Sequence, residues 1–340
     1  MKKDILVLGI ESSCDETSVA VVKNGRELIS NSIASQIDIH KLYGGVVPEI
    51  ASRNHIKNIM GTLHDALAKA NVSMDDIDAI AVTYGAGLLG ALIVGVSFAK
   101  ALAYATGKPL YAVNHIEGHI ASNYLAHPDL KPPFCCLVVS GGHTALFEMK
   151  NYVNKKLLIT TTDDAIGEAF DKVARECGLL YPGGPNIQKQ AQSGTPDITF
   201  VNPALEVDFN HFSYSGLKTA VINYLHNKKQ KNEEINVPNV CASFQKEAVA
   251  QLVTKTFYHL NKKKAKTLVL AGGVSANAEL RKRFAEEGEK YGIKVYFPPL
   301  VLCTDNAGMV ACQGYYNLIS GKKPSKLDLE PMANLPLSSI

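Results

Sequence analysis

The stretch Cys136-Leu137-Val138-Val139-Ser140-Gly141-Gly142-His143-Thr144-Ala145-Leu146-Phe147-Glu148-Met149 reads as an apolar strand, a small polar turn and a second apolar strand. Ile5 to Val22 has the same layout. There Ile5 to Ile10 is a strand, Glu11-Ser12-Ser13-Cys14-Asp15-Glu16-Thr17-Ser18 a turn, and Val19-Ala20-Val21-Val22 a strand. One such unit in each half implies internal duplication. A third apolar run, Thr267 to Ala271, also ends in a Gly-Gly turn at Gly272-Gly273, and Asn277 follows at the start of a helix. The pattern predicts an α/β protein of two lobes with a nucleotide cleft between them.

Outward from these turns, Pro132-Pro133 marks the lobe boundary. We expect an N-terminal lobe over 1–130, a C-terminal lobe over 131–320, and a tail over 321–340 packing back on the first lobe. Asn24-Gly25 signals a hairpin into a strand from Leu28 to Ser35. A helix beginning near Pro48 carries the apolar stripe Ile50, Ile56, Ile59, Met60, Leu63, Leu67 and Ala70. His40, Arg53, His55, Lys57 and His64 fall mostly off that stripe and read as a solvated face, with a basic face meeting RNA as the alternative. Asp78 to Thr83 is a further strand, and Gly85 to Gly90 opens a helix through Ala105. Asp163-Asp164 is expected to cap a helix whose buried side is Ile166, Ala169, Phe170, Val173, Ala174 and Cys177. Asp171 lies off that stripe, and a carboxylate there can accept both hydroxyls of a ribose. Phe244 to Leu260 forms a long amphipathic helix.

Composition narrows the functional classes. The 340 residues are 46% hydrophobic, enough for a sizeable core, and the formal net charge is only +3. Any RNA contact must therefore come from local patches. Seven cysteines with no C-x-x-C spacing read as reduced thiols and a cytoplasmic setting. The opening Met1 to Val7 is too short in apolar length for a signal peptide, and no apolar run reaches membrane-spanning length.

The chemistry concentrates in His115-Ile116-Glu117-Gly118-His119, which follows the apolar run Leu110 to Val113. Histidines four apart on a helix share one face and can reach one metal ion. A site at the carboxyl end of a strand is where open α/β sheets bind ligands. Glu117 sits about 200° round the helix from His115, so it points away from such an ion. That geometry disfavours the metalloprotease arrangement His-Glu-x-x-His and leaves Glu117 as a solvated or outlying carboxylate. Asp305, at a helix start, is either an N-cap or the third ligand. Two histidines and a carboxylate suit Fe(II) or Zn(II). Ser140-Gly141-Gly142 offers backbone N–H groups and a hydroxyl to an anion.

Taken together, these residues resemble the tRNA N6-adenosine threonylcarbamoyltransferase family, TsaD, formerly the Gcp glycoprotease. The matching stretches are Gly9 to Thr17, Gly44 to Glu49, His115 to His119, Val138 to Thr144, Gly167 to Lys172, Tyr181 to Pro185, Phe212 to Thr219, Gly272 to Asn277 and Thr304 to Asn306. The resemblance implies an actin-like, sugar-kinase-like fold with duplicated RNase H-like halves. It implies transfer of a threonylcarbamoyl group from threonylcarbamoyl-AMP to N6 of the adenosine 3′ to the anticodon, in tRNAs reading ANN codons. Its metal ligands fall on His115, His119 and Asp305, with iron favoured over zinc. Its adenylate contacts fall on Val138, Val139, Ser140, Gly141, Gly142, Asp171, Gly184 and Asn277. ATP or ADP would fit the same cleft. Gln188 departs from an aspartate often found at its position. Family partners are tRNA, a catalytically inactive TsaB-like paralogue and a TsaE-like P-loop ATPase, with no membrane.

No Ser-His-Asp set or activated cysteine is evident, so direct attack by the adenosine amine is expected. Glu11 and Asp15 are candidates for a proton acceptor or for water-mediated contact to the metal. The rival readings are a small-molecule kinase or ATPase of the same fold, a metallo-endopeptidase, and a non-enzymatic ATP-switched module. The first would hold Mg²⁺ with carboxylates and phosphates and needs no imidazole.

Overall fold

Side chains alternate between the faces of a strand, and β1 (Leu6–Glu11) is buried on both. Leu8 and Ile10 enter one apolar cluster with Ile59, Leu63, Val96 and Ala99, while Val7 joins Met309, Val310 and Ala311 in another. A strand covered on both faces reads as a near-continuous apolar run, which is why this one was legible. The computed structural model describes residues 4–201 and 208–337. Met1 to Lys3, which head the opening run, and the last three residues of the tail lie outside the described residues.

In chain order the first sheet comprises β1, β2 (Glu16–Lys23), β3 (Glu27–Ser35), β4 (Ala79–Gly85) and β5 (Leu110–Asn114). Its spatial order is β3-β2-β1-β4-β5. β1 runs antiparallel to β2 and parallel to β4, and β4 runs parallel to β5. The second sheet comprises β6 (Phe134–Val139), β7 (Thr144–Met149), β8 (Lys155–Thr160), β9 (Thr267–Ala271) and β10 (Lys294–Tyr296), in the order β10-β9-β6-β7-β8. Exchanging β1, β2, β3, β4, β5 for β6, β7, β8, β9, β10 converts one order into the other. The duplication read from the two strand-turn-strand units is thus a duplication of whole sheets.

The helices are α1 (Ile37–Lys41), α2 (Pro48–Ala70), α3 (Leu89–Thr106), α4 (His115–Ala126), α5 (Ile166–Glu176), α6 (Gly183–Ala191), α7 (Ser215–Gln230), α8 (Val237–Lys263), α9 (Ala278–Tyr291) and α10 (Ala307–Ile319). Two compact units result. One holds the described residues up to Pro133, Met149–Lys155, and those from Pro298 onward; the other holds Phe134–Glu148 and Lys156–Phe297. Within the first unit the tail runs along the first sheet. Ser325 N donates to Leu110 O at 2.7 Å, and Met332 N to Tyr84 O at 2.7 Å.

Several local expectations need correction. The inward line of α2 is Ala51, His55, Ile59, Thr62, Leu63 and Ala66. Ile56 and Met60 are exposed, while His40 and His55 are fully buried. His55 can be buried because both ring nitrogens are matched, Nδ1 to Thr17 Oγ1 at 2.7 Å and Nε2 to the Cys14 carbonyl at 2.9 Å. Asp163 and Asp164 do not cap α5, whose N-cap is Ala165 without a side-chain bond. Asp163 instead accepts from Tyr214 N (2.7 Å) and Ser215 N (3.3 Å) at the start of α7. Asp164 holds Lys172 and Lys218. α8 starts earlier than its apolar pattern suggested, at Val237, with Asn236 capping it and proline in its first turn. Finally, α3 has a mean hydropathy of 1.6 over 18 residues, long and apolar enough by length and composition to cross a membrane. Gly90, Gly95 and Lys100 interrupt the run and hid this in the sequence, and its buried side, Ala91, Leu92, Gly95, Val96, Ala99 and Ala103, faces the first sheet.

Candidate functional site

β5 delivers the histidine helix. α4 begins at its carboxyl end, and Asn114 Oδ1 accepts from Ile116 N at 2.8 Å to cap it. The one-turn spacing stacks the rings of His115 and His119 edge to face, 4.6 Å between centroids. Asp305 arrives from the other side. Its Oδ1 lies 3.4 Å from His115 Nε2 and 3.2 Å from His119 Nε2. One ligand atom from each of the three residues lies within 4.8 Å of the others. The N-cap alternative for Asp305 falls away, because Asn306 Oδ1 takes that role by accepting from Met309 N at 3.1 Å.

The three residues fit a metal ion. His119 is 1% exposed, and neither of its ring nitrogens finds a hydrogen-bond partner among the described residues. Its Nε2 approaches Asp305 closely but outside hydrogen-bond geometry. A buried polar atom left unmatched is costly. Two imidazole nitrogens and a carboxylate oxygen that converge in this way have the donor set and spacing of ligands of a shared cation.

Glu11, at the end of β1, is fully buried beneath them. Thr83 Oγ1 donates to its Oε2 at 2.7 Å and Ser13 N to its Oε1 at 2.6 Å. His115 Nδ1 lies 3.3 Å from Oε2 and 3.1 Å from Ser13 Oγ. Glu11 only accepts, so Nδ1 carries the proton and Nε2 is left facing Asp305. Such a carboxylate–histidine pair fixes a ligand's tautomer and ring orientation. Burial raises the Glu11 pKa, but the charge and hydrogen bond of His115 outweigh it and hold the carboxyl below its usual range. Burial likewise opposes charge on His115, yet Asp305 and Glu11 lift its pKa to about 9. Asp15 is 7% exposed, and its carbonyl accepts from Gln36 N at 3.0 Å. Beside it, burial and then the charges of Asp15 and Asp305 push Glu16 up to about 10.

Glu117 points away from this group, as its helical position requires, but it is not solvated. Lys155 Nζ sits 2.7 Å from its Oε1, with side-chain exposures of 1% and 11% for lysine and glutamate.

The remaining candidates lie in the second unit and are linked contact by contact. Val138 and Val139 end β6, and the turn Ser140-Gly141-Gly142 follows. Ser140 N already donates to His143 O at 2.8 Å, and Ser140 Oγ accepts from His143 N at 3.1 Å. Gly141 and Gly142 of this turn are exposed. Gly272, at φ 89°, crosses Val139 so closely that a Cβ would lie 2.4 Å from Val139 O. Asn277 caps α9 by accepting from Leu280 N (2.9 Å), and its Nδ2 donates to Gln245 Oε1 (2.8 Å). Gln188 Oε1 accepts from Ala278 N at 2.7 Å, so this side-chain amide ties α6 to the start of α9. Asp171 Oδ1 accepts from Gly183 N at 2.7 Å, beside Gly184.

Comparison with known proteins bears on this arrangement. A family model described as "TsaD: tRNA N6-adenosine threonylcarbamoyltransferase" matches residues 27–312. The chain belongs to the TsaD family. A tRNA N6-adenosine threonylcarbamoyltransferase of Clostridium botulinum (strain 657 / Type Ba4) is 54% identical over 338 residues, 99% of this chain and 99% of that protein. One of Clostridioides difficile (strain 630) is 53% identical over 336 residues, 98% and 99% of the two chains. Among solved structures, HypF of T. kodakarensis has a TM-score of 0.61 at 13% identity, covering 96% of this chain and 49% of that one. Component A of the (R)-2-hydroxyglutaryl-CoA dehydratase of Acidaminococcus fermentans has a TM-score of 0.56 at 13% identity, covering 93% and 99%. These likenesses place the TsaD-family chain in the actin-like α/β fold.

Sequence reasoning missed His55, Thr83 and Lys155. Thr83 carried a signal, a hydroxyl ending a strand beside Glu11. His55 and Lys155 carried none, because each looks like an ordinary polar residue until its distant partner is known.

Proposed function

We propose that the chain transfers the threonylcarbamoyl group from threonylcarbamoyl-AMP to N6 of the adenosine 3′ to the anticodon in tRNAs reading ANN codons, releasing AMP. The observation that carries this reading is the convergence of His115, His119 and Asp305 in a TsaD-family chain. These three residues hold one divalent ion, Fe(II) or Zn(II). When bound, that ion supplies Lewis-acid polarisation of an acyl or phosphate oxygen. Glu11 orients His115 and is spent on doing so, with Thr83, Ser13 and His115 on its oxygens. That leaves Asp15 as the carboxylate for proton acceptance from the adenosine amine. Val138, Val139, Ser140, Gly141 and Gly142 face the adenylate, the glycine N–H groups offsetting phosphate charge. Asp171 takes the ribose hydroxyls, and Gly184 and Asn277 border the same ligand.

tRNA is the acceptor. The exposed apolar residues Ile56 and Met60 of α2 and Leu89 and Ile93 of α3 support docking of a TsaB-like paralogue, and a TsaE-like ATPase completes the set. Seven free thiols support a cytoplasmic setting.

The test is His115→Ala. We expect loss of bound metal and of AMP release stimulated by tRNA, together with loss of threonylcarbamoyladenosine from the tRNA of cells that depend on the variant. A His115→Ala protein without metal but with full transfer sinks the proposal.

A further inference from the structure

Exposed ion pairs such as Arg53–Glu49, at 73% and 75% exposure, contribute little. The Lys155–Glu117 pair is different, since both charges lie inside the protein. Removing one partner of a buried pair leaves a charge with neither water nor a counter-ion. Glu117 also occupies a special place, two residues from His115 and two from His119, on the opposite side of α4.

We infer that Lys155 is a positioning residue for the metal centre. By holding Glu117 it fixes the rotation of α4 about its axis, and with it both imidazoles. The inference rests on the reading that His115, His119 and Asp305 hold a divalent ion. With side chains a helix has a radius of about 5–6 Å, so turning α4 by ~10° carries a ring nitrogen ~1 Å. Metal–ligand distances tolerate only about ±0.2 Å. A Glu117 released from Lys155 must move toward water or another donor, and either movement turns the helix that presents the ligands.

Lys155 is itself firmly placed. It closes the segment Met149–Lys155, which belongs to the same compact unit as α4 and α10. In that segment the Tyr152 ring stacks on Tyr316 at 4.2 Å with 4° between planes. Arg26 donates to the Tyr152 hydroxyl at 3.2 Å, and Gln313 Nε2 to its carbonyl at 3.3 Å. Tyr316 and Gln313 lie on α10, which starts just after Asp305. One short segment therefore grips both helices of the ligand set, α10 through Tyr152 and α4 through Lys155.

The experiment uses the full chain stripped of metal, with Co(II) as a spectroscopic probe and Zn(II) affinity measured by chelator competition. The variants are Lys155→Met, Glu117→Gln and the two combined. We expect Lys155→Met to lower Zn(II) affinity about 10–100-fold, the range for lost support around a ligand, and to alter the Co(II) visible spectrum. The combined variant leaves no unpaired charge and is expected to regain most of that loss. Folded Lys155→Met protein with wild-type affinity and spectrum overturns the inference, even if its melting temperature falls. A combined variant no better than Lys155→Met also overturns it. Should Lys155→Met not fold, Glu117→Gln decides: reduced affinity supports the inference and unchanged affinity overturns it. Wild-type protein that takes up no Co(II) overturns the metal reading and this inference with it; normal wild-type uptake with unaffected variants overturns this one alone.

Discussion

His55 shows how one buried side chain sets a pH response. Its Nε2 faces a carbonyl, which only accepts, so Nε2 carries the proton and Thr17 donates to Nδ1. Burial depresses its pKa below the ordinary 6.5, and the Cys14 carbonyl and nearby carboxylates offset this only in part. Below pH 6.5 the unfolded chain therefore binds a proton that the folded chain resists, so this residue's contribution to stability rises with pH. We expect denaturant stability to fall as pH drops from 7 through 6.5 and beyond, until the depressed pKa is passed. His55→Asn should be less stable at pH 7 but flatter across that range; equal slopes for the two proteins would refute the assignment. None of this was legible in the sequence, where His55 looked like a solvated residue off the apolar stripe. The two histidines of the candidate metal site were legible as a pair because i,i+4 spacing is a local property. Asp305 was legible only as an N-cap or a third ligand, and the resemblance favoured the second, since nothing local links residues so far apart in the chain.

At the level of elements, α10 does for Asp305 what β5 does for His115. It lies against β1 at Gly9, where a Cβ would come 2.2 Å from Ala307 O and 2.7 Å from Ala311 N. Both obstructing atoms are backbone, so the helix cannot yield by a side-chain rotation. Gly9→Ala should displace the start of α10, destabilise the chain by about 1–3 kcal/mol as overpacking does, and weaken metal binding by moving Asp305. Ala20, paired with Gly9 across the hairpin, offers a matched control. Ala20→Gly should cost about 0.5–1 kcal/mol and leave metal affinity unchanged. A Gly9→Ala protein with wild-type metal affinity would separate α10 from the site. The strands were readable because buried runs of Val, Ile and Leu bounded by glycine turns have few alternatives. The cap of α5 was misread because Asp163 has a non-local competitor, the start of α7, which offers two backbone N–H groups.

Across the whole molecule, the two classes of candidate residue fall in different compact units. The metal ligands, Glu11 and Asp15 lie in the first, and every candidate adenylate contact lies in the second. Each unit also has its own core: Leu8, Ile10 and Ile59 belong to one, and Phe170, Phe244 and Leu252 to the other. A ligand that binds only the folded form stabilises what it touches, by about 2.7 kcal/mol at one hundred times its dissociation constant. The two ligands should therefore leave separate marks in amide hydrogen exchange. Zn(II) alone is expected to slow exchange in α4 and around 304–309, with little change at 138–142. AMP alone should slow exchange at 138–142 and at the start of α5, with little change in α4. The Gly9→Ala and Lys155→Met variants should weaken the first pattern and keep the second, because Gly9 and the Lys155–Glu117 pair belong to the first unit. If AMP protected α4 in the absence of metal, or Zn(II) protected the Ser140 turn, the division of labour proposed for the two units would be wrong.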